Sequence, residues 1–580
     1  MPMPEQPLEA PREPHNPEFV AHLLRTPLRR KMVGWYDPRV LAQSAWLVTI
    51  ANLFGRHSDT RLIDALSTQP QHWFDYSDAA DETGDFWLDY VSDIGDGWNS
   101  TYAVASAVAE PELIVRDANG LALSTRPGKV LVFGGDEVYP YPSRAEYEAR
   151  AERPYATALA GRAARPDIYA IPGNHDWYDS LIAFSRCFCR PERGFAGCQT
   201  RQTRSYFAMR LPQDWWLLAI DLQLGADLDE PQVQYFQRVA ADMSATARVV
   251  LCVPEPRWIL EDAYPKHSTY SESATVEFLE SRILKRHAEV FLTGDLHLYK
   301  RHANAAGIQK ITAGGGGAFL HPTHAPATHT LRDGFTQQAA YPDEKTSSRL
   351  AWRNFLFPFL NPKYLPISAF LYAMSAWFAS ASLQVADTVD LPTALNAAVR
   401  AAIRDPFYGL WLIVFVAAFI FFTDTHVRWW RVIGGVCHAV AHLAAAFGLG
   451  WLSLLVTTRG FGLEFGTVSQ LLVAGSLTFV LGGIVGALIL GLYLFISVQG
   501  FGRHANEAFA SLRIEDFKHW VRLRVDAAGS LSIFAIAIDR VPRQWRASER
   551  AGARVELADD PRSTAPRLID RVVISSSRRS

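Results

Sequence analysis

IYAIPGNHDWYDS, residues 168–180, decides the fold. Ile168 to Ile171 read as a short buried strand that stops at Pro172-Gly173. The loop beyond presents a carboxamide, an imidazole and a carboxylate in a row: Asn174, His175 and Asp176. Such a trio makes a poor core. It suits a place where a metal is held and a phosphate oxygen is protonated.

Outward from this stretch, further strands end in chemistry. Phe86–Ser92 ends at DIGDG (93–97), and Lys129–Gly134 at GDEVY (135–139). Arg248–Val253 ends at PEP (254–256), Ala288–Thr293 at GDLH (294–297) and Ile308–Ala313 at GGGG (314–317). Ser205–Leu211 and Trp215–Ile220 form a strand pair, and DLDEPQ (227–232) starts a helix. Strands mixed with helices, with polar clusters at the strand ends, predict α/β layers with a site along one sheet rim.

The four motifs in order are D-x-G (Asp93, Gly95), G-D-x-x-Y (Asp136, Tyr139), G-N-H-D (Asn174 to Asp176) and G-D-x-H (Asp295, His297). Over residues 86–325 this set resembles the calcineurin-like metallophosphoesterase superfamily. Its first two motifs are similar to the purple-acid-phosphatase variant. The resemblance implies a four-layer α/β sandwich and a two-metal site. In that site Asp136 bridges, Asp93 and His297 serve the first ion, and Asn174 serves the second. Tyr139 would be a phenolate ligand to ferric iron. His175 would assist the leaving group, and Asp176 would orient its imidazole. Hydrolysis would proceed by in-line attack of a hydroxide activated by two metals on a phosphomonoester or phosphodiester.

Two positions depart from the family pattern. VVLCVPEPRW (249–258) has no His, so Glu255 is the substitute ligand and Cys252 the runner-up. Asp295 stands where the family has the first His of G-H-x-H. Oxygen donors favour manganese, iron or magnesium over zinc. The cofactors expected are therefore two divalent or trivalent metal ions. Loss of the second ion is the competing reading. His321 and His324 in HPTH are candidate substrate-binding residues, with packing as the alternative. GGGG lets backbone approach the site or makes a tight turn, and Asp96 is a turn residue or a ligand. Cys187, Cys189 and Cys198 are poor candidates for a further metal site.

The chain has 580 residues and a net charge of −2, which gives no electrostatic case for nucleic acid. Its five cysteines have no repeating spacing, and no secretory signal pattern is present, so reduced thiols are expected. Residues 1–35 are Pro-rich and then basic, and are expected to be disordered. Residues 36–345 form the phosphoesterase-type domain, with 40–55 as an interfacial or buried helix and a membrane span as the alternative. Ile367–Val385, Pro406–Thr423, Val432–Thr458 and Phe465–Gly502 contain no Asp, Glu, Lys or Arg. They predict an all-α membrane domain of about four helices over 364–502, the last one long and kinked near Gly482-Gly483. Lys345, Arg349, Arg353, Lys363, Arg428, Arg431, Arg503, Arg513 and Lys518 flank one side, against Arg400, Arg404 and Arg459 on the other. This bias places the catalytic domain in the cytoplasm. His438 and His442 share a helix face and are read as interhelical hydrogen-bonding groups. Residues 503–545 predict a β-hairpin, and 546–580 a flexible tail.

The expected function is therefore a membrane-anchored metallophosphoesterase acting on a phosphate ester, free or lipid-linked, with membrane lipid as its other partner. The alternative is a membrane sensor or transporter whose degenerate phosphoesterase domain binds a phosphate ligand without turnover.

Overall fold

Phe86–Val91 is buried along its whole length, because each of its faces meets a different layer. Phe86, Leu88 and Tyr90 point into one apolar cluster, while Trp87 and Val91 point into another. A strand covered on both faces reads as a continuous apolar run. In the computed structural model the described residues are 29–54, 73–117, 119–222, 227–263, 272–381, 390–423, 428–558 and 565–576. Most of the segment expected to be disordered lies outside them.

Two mixed sheets build the soluble part. The six-stranded sheet runs, in spatial order, Arg567–Ile574, Leu531–Ile538, Lys518–Val525, Phe86–Val91, Val130–Phe133 and Asp167–Ala170. The eight-stranded sheet runs Phe74–Asp75, Phe207–Arg210, Trp215–Ala219, Arg248–Cys252, Val290–Thr293, Gln309–Ala313, Tyr299–Ala303 and Thr336–Tyr341. Between the sheets lie Leu88, Tyr90, Val132, Leu217, Val250 and Leu292. The outer face of the first sheet packs on the helices Trp98–Val108, Arg153–Leu159 and Ile182–Phe188. The outer face of the second packs on Glu230–Asp242 and Leu279–Leu284. The helix expected at DLDEPQ begins where Asp229 accepts a hydrogen bond from the Gln232 amide.

The C-terminal hairpin is part of the first sheet. Lys518–Val525 pairs antiparallel with Phe86–Val91, from Val521 opposite Tyr90 to Val525 opposite Phe86. Arg522 and Asp89 lie in register across this pair. Both are buried and joined by two hydrogen bonds of 2.7 and 3.0 Å. The flexible tail expected over 546–580 is corrected: Arg567–Ile574 adds a strand beside Leu531–Ile538, and Trp545–Arg550 pairs with Ala553–Ala558. Residues 29–35 likewise depart from disorder, with Met32 and Val33 buried.

The helical region was expected to have four spans. Among the described residues two helical stretches are long and apolar enough to cross a membrane, Arg428–Gly460 and Val468–Phe501. A third passes the same test only if Leu391–Arg404 and Pro406–Phe422, bent by 98° at Asp405, count as one. Leu391–Arg404 was not foreseen. It buries Ala394, Ala397, Ala398 and Ala401, and Asp390 caps it by accepting from the Thr393 amide. The first expected span is helical over Leu365–Ser380, and its far end lies outside the described residues. Val468–Phe501 runs unbroken through Gly482-Gly483. Those glycines serve contact: a Cβ on Gly482 or Gly486 would run into Tyr372. His442 Nδ1 bonds the Tyr372 hydroxyl at 3.0 Å across helices, and His442 Nε2 lies 3.0 Å from His438 Nε2. This agrees with the interhelical reading of the pair.

Candidate metal and phosphate site

Three strand ends deliver three aspartates in the left-handed backbone region: Asp93 (φ 60°), Asp136 (φ 54°) and Asp295 (φ 64°). L-residues rarely adopt it, and such strain clusters at functional sites. The chain turns sharply there, and the Asp93 and Asp136 carboxylates reach across the sheet rim to the same tyrosine. The GGGG loop closes over Asp93: the Gly316 amide donates to Ser92 O and the Ala318 amide to Asp93 O. A Cβ on Gly314 would come within 2.6 Å of Asp93 Oδ2, so only glycine fits.

The Tyr139 hydroxyl is where the motifs meet. It lies 2.8 Å from Asp93 Oδ1, 3.1 Å from Asp136 Oδ2 and 3.0 Å from His297 Nε2. His297 Nε2 is also 3.4 Å from Asp93 Oδ1. His297 Nδ1 lies 2.7 Å from the Phe319 carbonyl, which can only accept. The proton therefore sits on Nδ1, and Nε2 offers its lone pair to the cluster. Asp136 looks both ways: Oδ2 faces Tyr139, and Oδ1 accepts from the His175 amide at 2.9 Å.

Burial pushes the Asp93 carboxyl up to about 6, against the hydrogen bond from Tyr139. Burial first, and then the charges of Asp93, Asp176 and Asp295, holds Asp136 well above the carboxylate range. Crowded, dry carboxylates of this kind call for positive charge. The donor set therefore fits a cation, provided the phenol is counted. Among the described residues no group of three or more His, Cys, Asp and Glu side chains is arranged to hold a metal ion on its own.

His175 packs against Tyr139, Tyr178 and Trp35. Its Nδ1 faces the Pro140 carbonyl at 2.8 Å, so Nε2 is again the bare nitrogen. The ring is part-exposed, yet its aromatic surroundings desolvate it and push its pKa down to about 4. Asn174 Nδ2 donates to the Tyr178 hydroxyl at 3.1 Å. Asp176, expected to orient His175, is corrected. One of its oxygens accepts from the Tyr147 hydroxyl, and the other from the Gly173 and Glu137 amides at 2.9 and 3.3 Å. It fastens the loop, while a backbone carbonyl orients the imidazole.

The remaining expected residues divide. His321 stacks on His297 with ring centres 4.0 Å apart, and its Nδ1 accepts from the His297 amide at 3.2 Å. It supports a cluster member. His324 bonds the Ser347 hydroxyl at 2.8 Å instead of joining the cluster. Glu255 forms an ion pair with Arg257 at 2.5 Å and lines a cavity of about 350 Å³ with Trp258 and Lys310. Cys252 is fully buried between the sheets. Asp96 accepts from the Val33 amide at 2.7 Å and the Phe319 amide at 3.1 Å, so it ties the N-terminal segment to the site. Two neighbours were missed from sequence. Trp35 packs on Tyr139, His175 and Phe319, and Asn506 lies 3.2 Å from His321 Nε2. Neither belongs to a motif, and no spacing announces them.

No family model matches the chain. No curated protein matches it. Solved structures distantly similar to it include the following two. One is "GAP50 the anchor in the inner membrane complex of Plasmodium", at TM-score 0.29 and 10% identity, covering 41% of this chain and 74% of that one. The other is a structure of PhoD, at TM-score 0.26 and 12% identity, covering 41% of this chain and 59% of that one. Likenesses at these scores carry no weight for fold or function.

Proposed function

We propose that the chain is a membrane-held, metal-dependent phosphoesterase that cleaves a phosphomonoester or phosphodiester, with its site facing the cytoplasm. The observation behind this is the convergence of Asp93, Asp136 and His297 on the Tyr139 hydroxyl. The hydroxyl lies 2.8 to 3.1 Å from the other three donor atoms, and His297 Nε2 lies 3.4 Å from Asp93 Oδ1. Ligands about 2.0–2.2 Å from one ion are separated by roughly 3 Å, so the spacing matches a coordination shell. We read the paired sheets and their outer helices as the four-layer metallophosphoesterase sandwich.

Asp93, Asp136, Tyr139 and His297 would hold the first ion. Asp136, Asn174 and Asp295 would hold the second, with Glu255 drawn in from Arg257. Manganese, iron or magnesium ions would supply Lewis acidity toward phosphoryl oxygens and an activated water. Asp136, whose Oδ2 faces Tyr139 and whose Oδ1 accepts from the His175 amide, would serve both ions. His175 offers Nε2 to the ester. An anionic phosphate beside it raises its basicity, so it can carry a proton to the leaving oxygen.

Protein purified in detergent with Mn²⁺ is expected to cleave p-nitrophenyl phosphate, to stop with a chelator and to recover with added metal. Asp136→Asn is expected to lower kcat by about 10³-fold or more. A variant as active as the parent sinks the proposal. The ion pair that occupies Glu255 favours the second reading, a phosphate-binding domain without turnover. Calorimetric phosphate binding with no hydrolysis under any of the three metals would support it.

A further inference from the structure

The site lies at the foot of the helical region, and two adjacent residues measure the gap. Trp35 packs on His175 and Tyr139. Tyr36, the next residue, packs on Phe357 and Tyr364 at 4.8 and 5.9 Å, and its hydroxyl donates to the Glu507 carbonyl at 3.2 Å. Asp37 then pairs with Lys363 at 2.6 Å. One wall of the site is thus pinned to the segment that opens the helical region.

Apolar surface flanks this junction on both sides. The helix Pro38–Phe54 has no charged residue after Arg39; Leu41 is exposed and Trp46 is 66% exposed. The same helix lies against the turn Asp176–Asp179 that follows His175. On the other side Trp352, Phe355 and Leu356 are exposed, and Phe359 is 79% exposed. Trp352 and Phe355 pack on Phe495, within the long apolar helix Val468–Phe501, with ring centres 4.6 and 4.9 Å away. This surface is therefore continuous with a helix able to cross a membrane. Arg353 stands exposed beside these rings, and Lys363 is exposed in its ion pair with Asp37. Tryptophan and phenylalanine mixed with basic groups are the makings of a surface that rests in anionic headgroups.

We propose that the substrate is a phosphate ester borne on a membrane lipid. Its phosphate enters from the bilayer surface past Trp35, while its acyl chains stay between the helix Pro38–Phe54 and the segment 352–360. This rests on the phosphoesterase reading and names its substrate class. A water-soluble ester would gain nothing from the exposed rings at the mouth of the site.

The test uses full-length protein in phosphatidylcholine nanodiscs with Mn²⁺. Phosphatidic acid and phosphatidylglycerol are each compared with their deacylated head groups, by released phosphate or by phosphorus NMR. Expected is a kcat/KM at least about tenfold higher for one lipid than for its head group, a ratio that burial of a large side chain can supply. Trp46→Asp, or Phe359→Asp should the first fail to fold, is expected to cut that ratio at least fivefold, roughly the loss of one interfacial anchor. Head groups cleaved as well as lipids, or a ratio unmoved in both variants, overturn the lipid proposal and leave the phosphoesterase reading standing. Cleavage of no ester at all, p-nitrophenyl phosphate included, overturns both.

Discussion

Asp93, Asp136 and Asp295 hold φ values of 60°, 54° and 64°, a conformation that costs each of them about 1 kcal/mol. The Asp93 and Asp136 carboxylates meet at one phenol, that of Tyr139. Tyr139→Phe keeps the ring packing and removes the shared donor. In the presence of a chelator it is expected to lower stability by about 1–3 kcal/mol, read from urea denaturation, because buried acceptors lose their partner. Loaded with ferric iron, the parent is expected to show a visible charge-transfer band that the variant lacks. Asp96 makes a pH prediction. Burial raises its carboxyl from 3.8 to about 6, so the folded state holds the proton more tightly than the unfolded state. Stability from this group is greatest below about pH 4 and is lost as pH rises through 6. Asp96→Asn should therefore cost less at pH 7 than at pH 4, by up to about 3 kcal/mol. An equal cost at both would assign the shift to other groups. Asp93, Asp136, Tyr139 and His297 were legible because each ends a strand in a motif. Trp35 and Asn506 were not, because the chain brings them in from far away in sequence and packs them by shape.

At the level of elements, the buried pair Asp89–Arg522 joins strands more than four hundred residues apart. Arg522→Leu leaves Asp89 charged and dry, and is expected to cost about 3–5 kcal/mol. The double variant Asp89→Leu, Arg522→Leu should recover most of that loss. Melting curves in detergent decide the matter, and a double variant as unstable as the single one would show that the pair acts through packing alone. In the helical region Gly486 faces Ser368 and Tyr372 with no room for a Cβ. Gly486→Ile is expected to destabilise the helix pair by about 1–3 kcal/mol or more through overpacking. Strand positions were readable from apolar runs ending in Gly or Asp. The strand Arg567–Ile574 escaped notice because RLIDRVVI lies in an Arg- and Ser-rich tail. It folds because the hairpin offers it an edge. The bend at Asp405 also had a local signal. Asp405-Pro406 both ends one helix and caps the next, since Asp405 Oδ1 accepts from the Phe407 amide at 2.9 Å.

For the whole molecule, the helical region is an insertion in a domain whose sheet is completed only at the far end of the chain. All four motifs lie before residue 300, and sequence alone places every candidate site residue before residue 325. The structure divides the support differently. Lys518–Val525 covers the open edge of Phe86–Val91, the strand that ends at Asp93. The His519 amide donates to the Gly315 carbonyl, and Lys518 donates to the Ala318 carbonyl, on either side of the loop over the cluster. Asn506 holds His321, which holds His297. A chain ended after Gly502 keeps every motif and every long apolar helix but loses these supports. It also bares the edge of Phe86–Val91, leaves Asp89 unpaired and exposes the inter-sheet face that Val521, Leu523 and Ile533 cover. Such a chain is expected to insert in membranes, to be cut rapidly by protease within 73–341, and to show no metal-dependent ester cleavage. Limited proteolysis and p-nitrophenyl phosphate turnover with Mn²⁺ measure both. If the shortened chain resists protease and turns over at the parental rate, the C-terminal strands are accessory, and the site stands on the residues before 325 alone.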